Sequence, residues 1–145
     1  MTLESNFWQT VKDNLSPFGI LRRIENSAGL GTPDVVYCLT RMKEGSIPAT
    51  GFIELKVAEY PARSSTPLRP RHLSKDQVDF AAEWVKAGGR VSLLLRAAPW
   101  YFLFDAAETR ALYEGLVPAA IAPVVASAAG TGRFPTGAIL RELTK

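Results

Sequence analysis

Residues 90–96, with the sequence RVSLLLR, form an apolar run that directly follows the Gly88-Gly89 pair. A strand without polar alternation is typical of a position buried on both faces of a sheet. Two consecutive glycines are a strong signal for the end of a helix. The segment therefore predicts a helix that ends at this pair, followed by a central strand in a sheet that has helices packed against it.

The other segments complete a mixed α/β pattern. Apolar residues at helical spacing predict a helix over residues 3–15, and Ser74 is expected to begin the second helix, in which Phe80, Trp84 and Val85 would be core contacts. A third helix is predicted from residue 105 to about 116, and a short one near Ile139. Strands are predicted at residues 19–25, 34–39, 51–57, 90–96 and 100–104, the first three as an antiparallel meander. The expected fold class is α/β, with a mixed central sheet and flanking helices.

Length and hydropathy indicate one globular domain over residues 1–145. The chain is 47% hydrophobic and 21% charged, which is typical of an ordered domain. We expect the core over about residues 1–104 and a helical extension over about residues 105–145. The amino terminus lacks the apolar segment of a signal peptide, and the longest weakly polar run, residues 116–129, is shorter than the roughly 20 residues that a membrane span needs. The expectation is a cytoplasmic protein without a membrane partner.

The scarcity of soft metal ligands limits the metal chemistry of the chain. It has one cysteine, Cys38, and one histidine, His72. A disulfide framework, a cysteine-based zinc site and a two-histidine site are therefore excluded. A divalent metal would have to be held by carboxylates and carbonyls, and these are the ligands of Mg²⁺ or Mn²⁺.

Two carboxylates and a lysine occur on neighbouring predicted strands. Pro33-Asp34 opens the second strand, and Glu54-Leu55-Lys56 lies in the third. Residues i and i+2 of a strand point to the same side, so Glu54 and Lys56 share a face. If the two strands pair, Asp34 comes to lie beside them. Two carboxylates can hold Mg²⁺ together with phosphate oxygens, and an ammonium can stabilise the charge that develops on a phosphate under attack.

The positive charge of the chain is concentrated in its middle third. The net charge is +3, and residues 60–96 alone carry seven basic and three acidic residues. The stretch from Tyr60 to Lys75 contains Arg63, Arg69, Arg71 and Lys75 and no acidic residue. Such a stretch suits contacts with nucleic-acid phosphates. It is equally compatible with a solvated surface loop that keeps the protein soluble.

Pro33-Asp34 followed by Glu54-x-Lys56 resembles the active site of the PD-(D/E)XK nuclease superfamily. The segments GTPDVVYC, GFIELKV and LSKDQVDFAAEWVKAGGRVSLLLR together resemble the VRR-NUC group, which includes small phage-encoded nucleases. The similarity covers about residues 20–96. The helix, three strands, helix and strand of the superfamily core have the same order as the elements predicted above.

The resemblance implies roles for individual residues. Asp34 and Glu54 would be metal ligands, the backbone carbonyl of Leu55 would add an oxygen, and Lys56 would be the catalytic lysine. A further acid completes the site in many members, and either Glu4 or Glu25 is a candidate here.

Two more residues near the second helix have alternative interpretations. Members of the VRR-NUC group carry a glutamine that faces the site at the start of this helix, and Gln77 matches it. Ser74 and Gln77 also form a capping-box sequence, and the two roles are compatible. His72 is interpreted as a surface or hinge residue; a contact to a DNA phosphate and, less favoured, a catalytic role are the alternatives.

These observations lead to a functional hypothesis with one main alternative. The chain is expected to be a Mg²⁺- or Mn²⁺-dependent DNA endonuclease, structure-selective for branched or Holliday-junction DNA, homodimeric, and located in the host cytoplasm if it is phage-encoded. The alternative is a non-catalytic DNA-binding or regulatory module on the same fold. A small-molecule phosphohydrolase or a structural protein is less favoured, since the sequence has no phosphate-binding glycine loop of the GxxxxGK[ST] type.

Overall fold

A five-stranded sheet organises the computed structural model, which describes residues 3–24, 29–41, 46–121 and 132–145. The strands are β1 (Gly19–Arg23), β2 (Val35–Leu39), β3 (Ala49–Val57), β4 (Val91–Ala97) and β5 (Trp100–Phe104), and they lie in this order across the sheet. The helices are α1 (Leu3–Leu15), α2 (Lys75–Lys86), α3 (Ala106–Glu114) and α4 (Thr136–Leu143), with short 3₁₀ turns at Ser16–Phe18 and Pro118–Ala120. The predicted α/β class with a mixed sheet and flanking helices is confirmed.

The sheet is mixed, with one parallel pair among its four neighbouring strand pairs. Strands β1, β2 and β3 form an antiparallel meander, β3 and β4 run parallel, and β4 and β5 are antiparallel again. A parallel pair needs a long crossover connection, which the loop of residues 58–74 and α2 supply together. This crossover brings the start of α2 back over the carboxyl-terminal half of β3.

The two faces of the sheet are covered by different helices. On one face, α1 and α4 pack onto residues of β1, β2 and β3 such as Leu21, Tyr37, Leu55 and Val57. On the other face, Leu112 of α3 and the loop residue Leu68 pack against residues of β4 and β5. Leu93, Leu94 and Leu95 of β4 are all buried, so the expectation of a strand buried on both faces is correct. No helix in the described part of the chain is long and apolar enough to cross a membrane.

The predicted elements agree with the observed ones to within about two residues, with one difference in packing. The strand after α1 ends at Arg23, and β2 begins at Val35, just after Asp34. The expectation that Trp84 and Val85 are core contacts of α2 is wrong, because they remain 43% and 42% exposed. Trp84 packs against the rings of Phe52 in β3 and Phe80, and the rest of its surface remains open to solvent.

The crossover loop of residues 58–74 is attached to the body of the protein at several points. Leu68 is completely buried, and its N–H donates to the carbonyl of Leu116 at 2.9 Å. The N–H of Arg71 donates to the carbonyl of Val57 at 2.9 Å, and that of Ala58 donates to the carbonyl of Arg96 at 2.9 Å. The basic loop therefore leaves and rejoins the sheet at the end of β3.

Candidate active site

Glu54 and Lys56 lie side by side in β3, on the face of the sheet opposite α1. Leu55 and Val57 alternate with them and pack into the core under α1, which turns Glu54 and Lys56 toward α2. Both charged residues are buried, at 4% and 5% exposure. The Nζ atom of Lys56 lies 3.3 Å from Oε1 of Glu54, so the lysine contacts this carboxyl group out of reach of solvent.

Asp34 is held against the same strand by a main-chain hydrogen bond. The last residue pair of the β2–β3 ladder is Val35 with Ile53. Beyond it, the N–H of Leu55 donates to Oδ2 of Asp34 at 2.9 Å, so this carboxylate takes the place of a strand partner. The N–H and C=O of one strand residue point to the same side, so the carbonyl of Leu55 also faces the side of Asp34. The structure thus brings Asp34, Glu54, Leu55 and Lys56 together.

Gln77 contacts both Glu54 and the start of α2. Its side-chain amide oxygen accepts a hydrogen bond from the backbone N–H of Ser74 at 3.0 Å. The backbone N–H of Gln77 donates to Oγ of Ser74 at 3.3 Å, which completes a capping box. Its Nε2 donates to Oε1 of Glu54 at 3.1 Å. The capping role and the position facing the site are therefore both present in one side chain.

The environment of Glu54 disfavours an uncompensated negative charge. Burial, and next the charge of Asp34, raise the pKa of Glu54 from 4.5 to about 9, while Lys56 acts in the opposite direction. Among the described residues, Oε2 of Glu54 is the buried side-chain atom that has no hydrogen-bond partner. A buried carboxylate oxygen without a donor is costly, and a cation in contact with it would remove that cost.

The donor atoms fit a hard divalent cation. They are carboxylate oxygens of Asp34 and Glu54 and the carbonyl oxygen of Leu55, the oxygen ligands that Mg²⁺ and Mn²⁺ take. No group of three or more His, Cys, Asp and Glu side chains is placed to share a metal within the described ranges. Glu4, in the first turn of α1, is therefore not brought to the pair, and Glu25 lies outside the described residues.

The basic residues predicted to contact nucleic acid lie on the surface of the crossover that joins β3 to α2 and of the first turn of α2. Arg63, Arg69, Arg71 and His72 are exposed in the crossover loop, and Lys75 is exposed at the start of α2. Lys75 differs from the arginines because its Nζ lies 2.7 Å from Oδ2 of Asp79. The same aspartate also pairs with Arg110 at 3.2 Å.

His72 contributes a main-chain atom that the sequence analysis missed. Among the described residues, His72 is the one non-glycine residue with a positive φ, +61°. Its carbonyl accepts a hydrogen bond from Nζ of Lys56 at 3.1 Å. The ammonium of Lys56 is thus fixed between Glu54 and this carbonyl. No sequence signal marks the position, because a left-handed conformation at a histidine depends on its tertiary contacts.

Comparisons with known proteins give one similar structure. No protein-family model matches the chain, and no curated protein matches it. A solved structure that is similar is that of Hjc, a Holliday junction resolvase from the archaeal hyperthermophile Archaeoglobus fulgidus. It is 20% identical with a TM-score of 0.48, and the match covers 81% of this chain and 93% of that chain. Nothing about the activity of this chain follows from a likeness of this degree.

Proposed function

We propose that this chain is a Mg²⁺- or Mn²⁺-dependent endonuclease that hydrolyses phosphodiester bonds of branched or junction DNA. The observation that carries the proposal is the convergence of Asp34, Glu54 and Lys56, in which the buried Oε2 of Glu54 has no hydrogen-bond donor among the described residues. Such an arrangement is costly for the folded protein, and it is chemically useful where a cation and a phosphate are to be bound together.

The residues divide the work between metal binding and charge stabilisation. Asp34, Glu54 and the carbonyl of Leu55 would hold the cation, which when bound neutralises charge on the phosphate under attack. Lys56 is fixed by Glu54 and by the carbonyl of His72, so its ammonium needs no reorganisation to stabilise the developing negative charge. Gln77 orients Glu54 by donating to the oxygen that also contacts Lys56.

The proposed substrate preference rests on the basic loop and on the lack of a base-recognition element in the sequence. Arg63, Arg69 and Arg71 are exposed in the loop that joins β3 to α2 and suit contacts with phosphates, which position nucleic acid without reading its sequence. The sequence has no readable base-recognition element such as a recognition helix or zinc finger, so we favour recognition of DNA shape over sequence. Three features remain predictions from the resemblance: membership of the VRR-NUC group, a phage origin and a homodimer. The location in the cytoplasm remains a prediction from the amino-terminal sequence. Light scattering of the purified protein tests the dimer.

Cleavage assays on labelled branched and linear DNA, with Mg²⁺ or Mn²⁺, test the proposal. We expect the wild type to cut branched DNA, and Asp34→Asn and Lys56→Met to lose about 100-fold or more of the rate. Lys86→Met is a matched control, since Lys86 is exposed at the far end of α2. Cleavage by all variants at the wild-type rate would refute the proposal. DNA binding without cleavage, with either metal, would favour the non-catalytic module instead.

A further inference from the structure

Four aromatic rings form a row on one face of the sheet, next to the crossover loop. Trp100, Phe102 and Phe104 alternate along β5 and therefore share a face. The ring centroids of Trp100 and Phe102 lie 6.2 Å apart with 21° between their planes, and those of Phe102 and Phe104 lie 5.9 Å apart with 22°. The ring of Tyr60, from the loop, lies 6.4 Å from that of Phe102 at only 14°. The planes of these three pairs are thus within about 22° of each other, whereas Tyr60 and Trp100, whose centroids lie 6.0 Å apart, are tilted by 32°.

The row reaches the surface at Tyr60 and Trp100. Phe102 and Phe104 are buried, which their role in the core explains. Tyr60 is 38% exposed and Trp100 is half-buried. Together with Phe102, Pro118 and Ile121 they line a recess of about 100 Å³. Flat apolar walls that open to solvent offer a stacking surface that the core itself does not use.

Tyr60 also lies next to positive charge. It lines an open cleft of about 600 Å³ together with Arg69, Arg71 and the acidic residue Glu59. The two arginines are exposed. One ring therefore belongs both to an apolar recess and to a cleft that contains two guanidinium groups. A nucleotide has the matching chemistry, because a flat apolar base is joined to an anionic phosphate.

The recess is connected to the candidate active site through short segments of chain. Tyr60 follows Ala58, whose N–H donates to Arg96 of β4 at 2.9 Å, and Arg71 bonds back to Val57 at 2.9 Å. Both ends of the loop are therefore held at the end of β3, which carries Glu54 and Lys56. A strand of nucleic acid bound along the arginines would pass from the recess toward the carboxylates.

We infer that the recess at Tyr60 and Trp100 binds the base of an unpaired nucleotide of the DNA, while Arg69 and Arg71 hold the adjacent phosphates. This inference rests on the proposed function and deepens it. Bases inside a duplex are stacked on one another, so only a nucleotide at a branch, a gap or a single-stranded arm offers a free face to the protein. Stacking on aromatic rings is tolerant of sequence. Selectivity for unpaired DNA thus arises without readout of base edges.

Binding measured by fluorescence anisotropy in EDTA, where no metal-dependent cleavage occurs, tests the inference. The probes are a labelled fork with an unpaired arm and a blunt duplex with the same base pairs. We expect Tyr60→Ala to lower the ratio of fork affinity to duplex affinity about tenfold, and Tyr60→Phe to keep the wild-type ratio, because the ring remains. Trp84→Ala is the control, since Trp84 is 43% exposed on α2 and lines neither the recess nor the cleft with the arginines.

A fork whose arm carries abasic nucleotides completes the cycle. We expect the wild type to bind it about tenfold less tightly than the normal fork and Tyr60→Ala to bind both equally. The inference would be overturned if Tyr60→Ala kept the wild-type ratio of fork affinity to duplex affinity. It would also be overturned if this variant bound the abasic fork less tightly than the normal fork. If the wild type cuts branched DNA but Tyr60→Ala keeps the selectivity for the fork, the base site alone is refuted. If Tyr60→Ala loses this selectivity but the wild type never cuts DNA, the nuclease function alone is refuted.

Discussion

Nε2 of Gln77 donates a hydrogen bond to Oε1 of Glu54 at 3.1 Å, while the amide oxygen of the same side chain caps the first turn of α2. The start of the helix and the orientation of a buried carboxylate therefore depend on one side chain. The second capping box of the chain, formed by Asp105 and Glu108, has no such link to the candidate active site. This difference allows the two roles to be separated.

Gln77→Ala should lower both stability and cleavage, whereas Glu108→Ala should lower stability alone. Loss of either capping box removes about 1 kcal/mol from the free energy of unfolding. Loss of the hydrogen bond to Glu54 should reduce the cleavage rate by a further factor of about 10, as is usual when a partner of a metal ligand is removed. Urea unfolding and single-turnover cleavage measure the two effects. Equal cleavage by the two variants would show that Gln77 only caps the helix.

Glu54 should make the metal-free protein less stable as the pH rises. The pKa of this carboxyl is raised from 4.5 to about 9, so the folded protein binds the proton more tightly than the unfolded chain does. The free energy of unfolding therefore falls between these two pH values, by at most about 1.4 kcal/mol per pH unit from this group. Glu54→Gln removes the titration.

Urea unfolding in EDTA at several pH values measures this effect as a difference between the wild type and Glu54→Gln. The advantage of the variant should grow from pH 4.5 to pH 9. Added Mn²⁺ should stabilise the wild type more than the variant, since it would bind the ionised carboxylate. A difference that stays constant with pH would contradict the raised pKa.

The backbone of His72, rather than its imidazole, should be what supports Lys56. A left-handed conformation costs most non-glycine residues about 1–2 kcal/mol, and asparagine tolerates it better than valine does. His72→Asn should therefore keep the melting temperature and the cleavage rate, whereas His72→Val should lower both. Thermal melts and cleavage assays measure this. A loss of DNA binding in His72→Asn would instead support the predicted phosphate contact of the side chain.

Arg71 and Lys75 should contribute unequally to DNA binding although both are exposed cations. Arg71 lines the open cleft with Arg69, whereas the ammonium of Lys75 is 2.7 Å from Asp79. Arg71→Gln should reduce the slope of log affinity against log salt by about 1, which corresponds to one lost phosphate contact. Lys75→Gln should change the slope less. Anisotropy titrations across a salt series decide the point, and equal changes would contradict it.

Gly31 should tolerate a side chain worse than Gly88 does. Both have a positive φ, +78° and +101°, so alanine is strained at either position. A Cβ at Gly31 would also collide with the carbonyl of Asp76 in the first turn of α2, whereas a Cβ at Gly88 meets nothing within 4 Å. Gly31→Ala should therefore lower the melting temperature more than Gly88→Ala does. Equal losses would show that the loop before Asp34 moves freely away from α2.

Local interactions explain why most of the fold was predictable from the sequence. The apolar spacing of α1, the capping boxes at Ser74 and Asp105 and the apolar run of β4 act within a few residues, and the structure has each of them. The shared face of Glu54 and Lys56 also follows from strand alternation alone. The exposure of Trp84 was not predictable, because it depends on which neighbours the tertiary packing places around α2.

The sequence by itself determined which residue types could form a metal-binding nuclease site and which of them share a strand or a helix turn. The tertiary structure decided which of these residues meet. The parallel pairing of β3 and β4 carries α2 back over β3, so that Gln77 reaches Glu54. The N–H of Leu55 holds Asp34, and the carbonyl of His72 holds Lys56. These contacts join residues 16 to 23 positions apart in the chain. They depend on long-range packing, which local propensities do not encode.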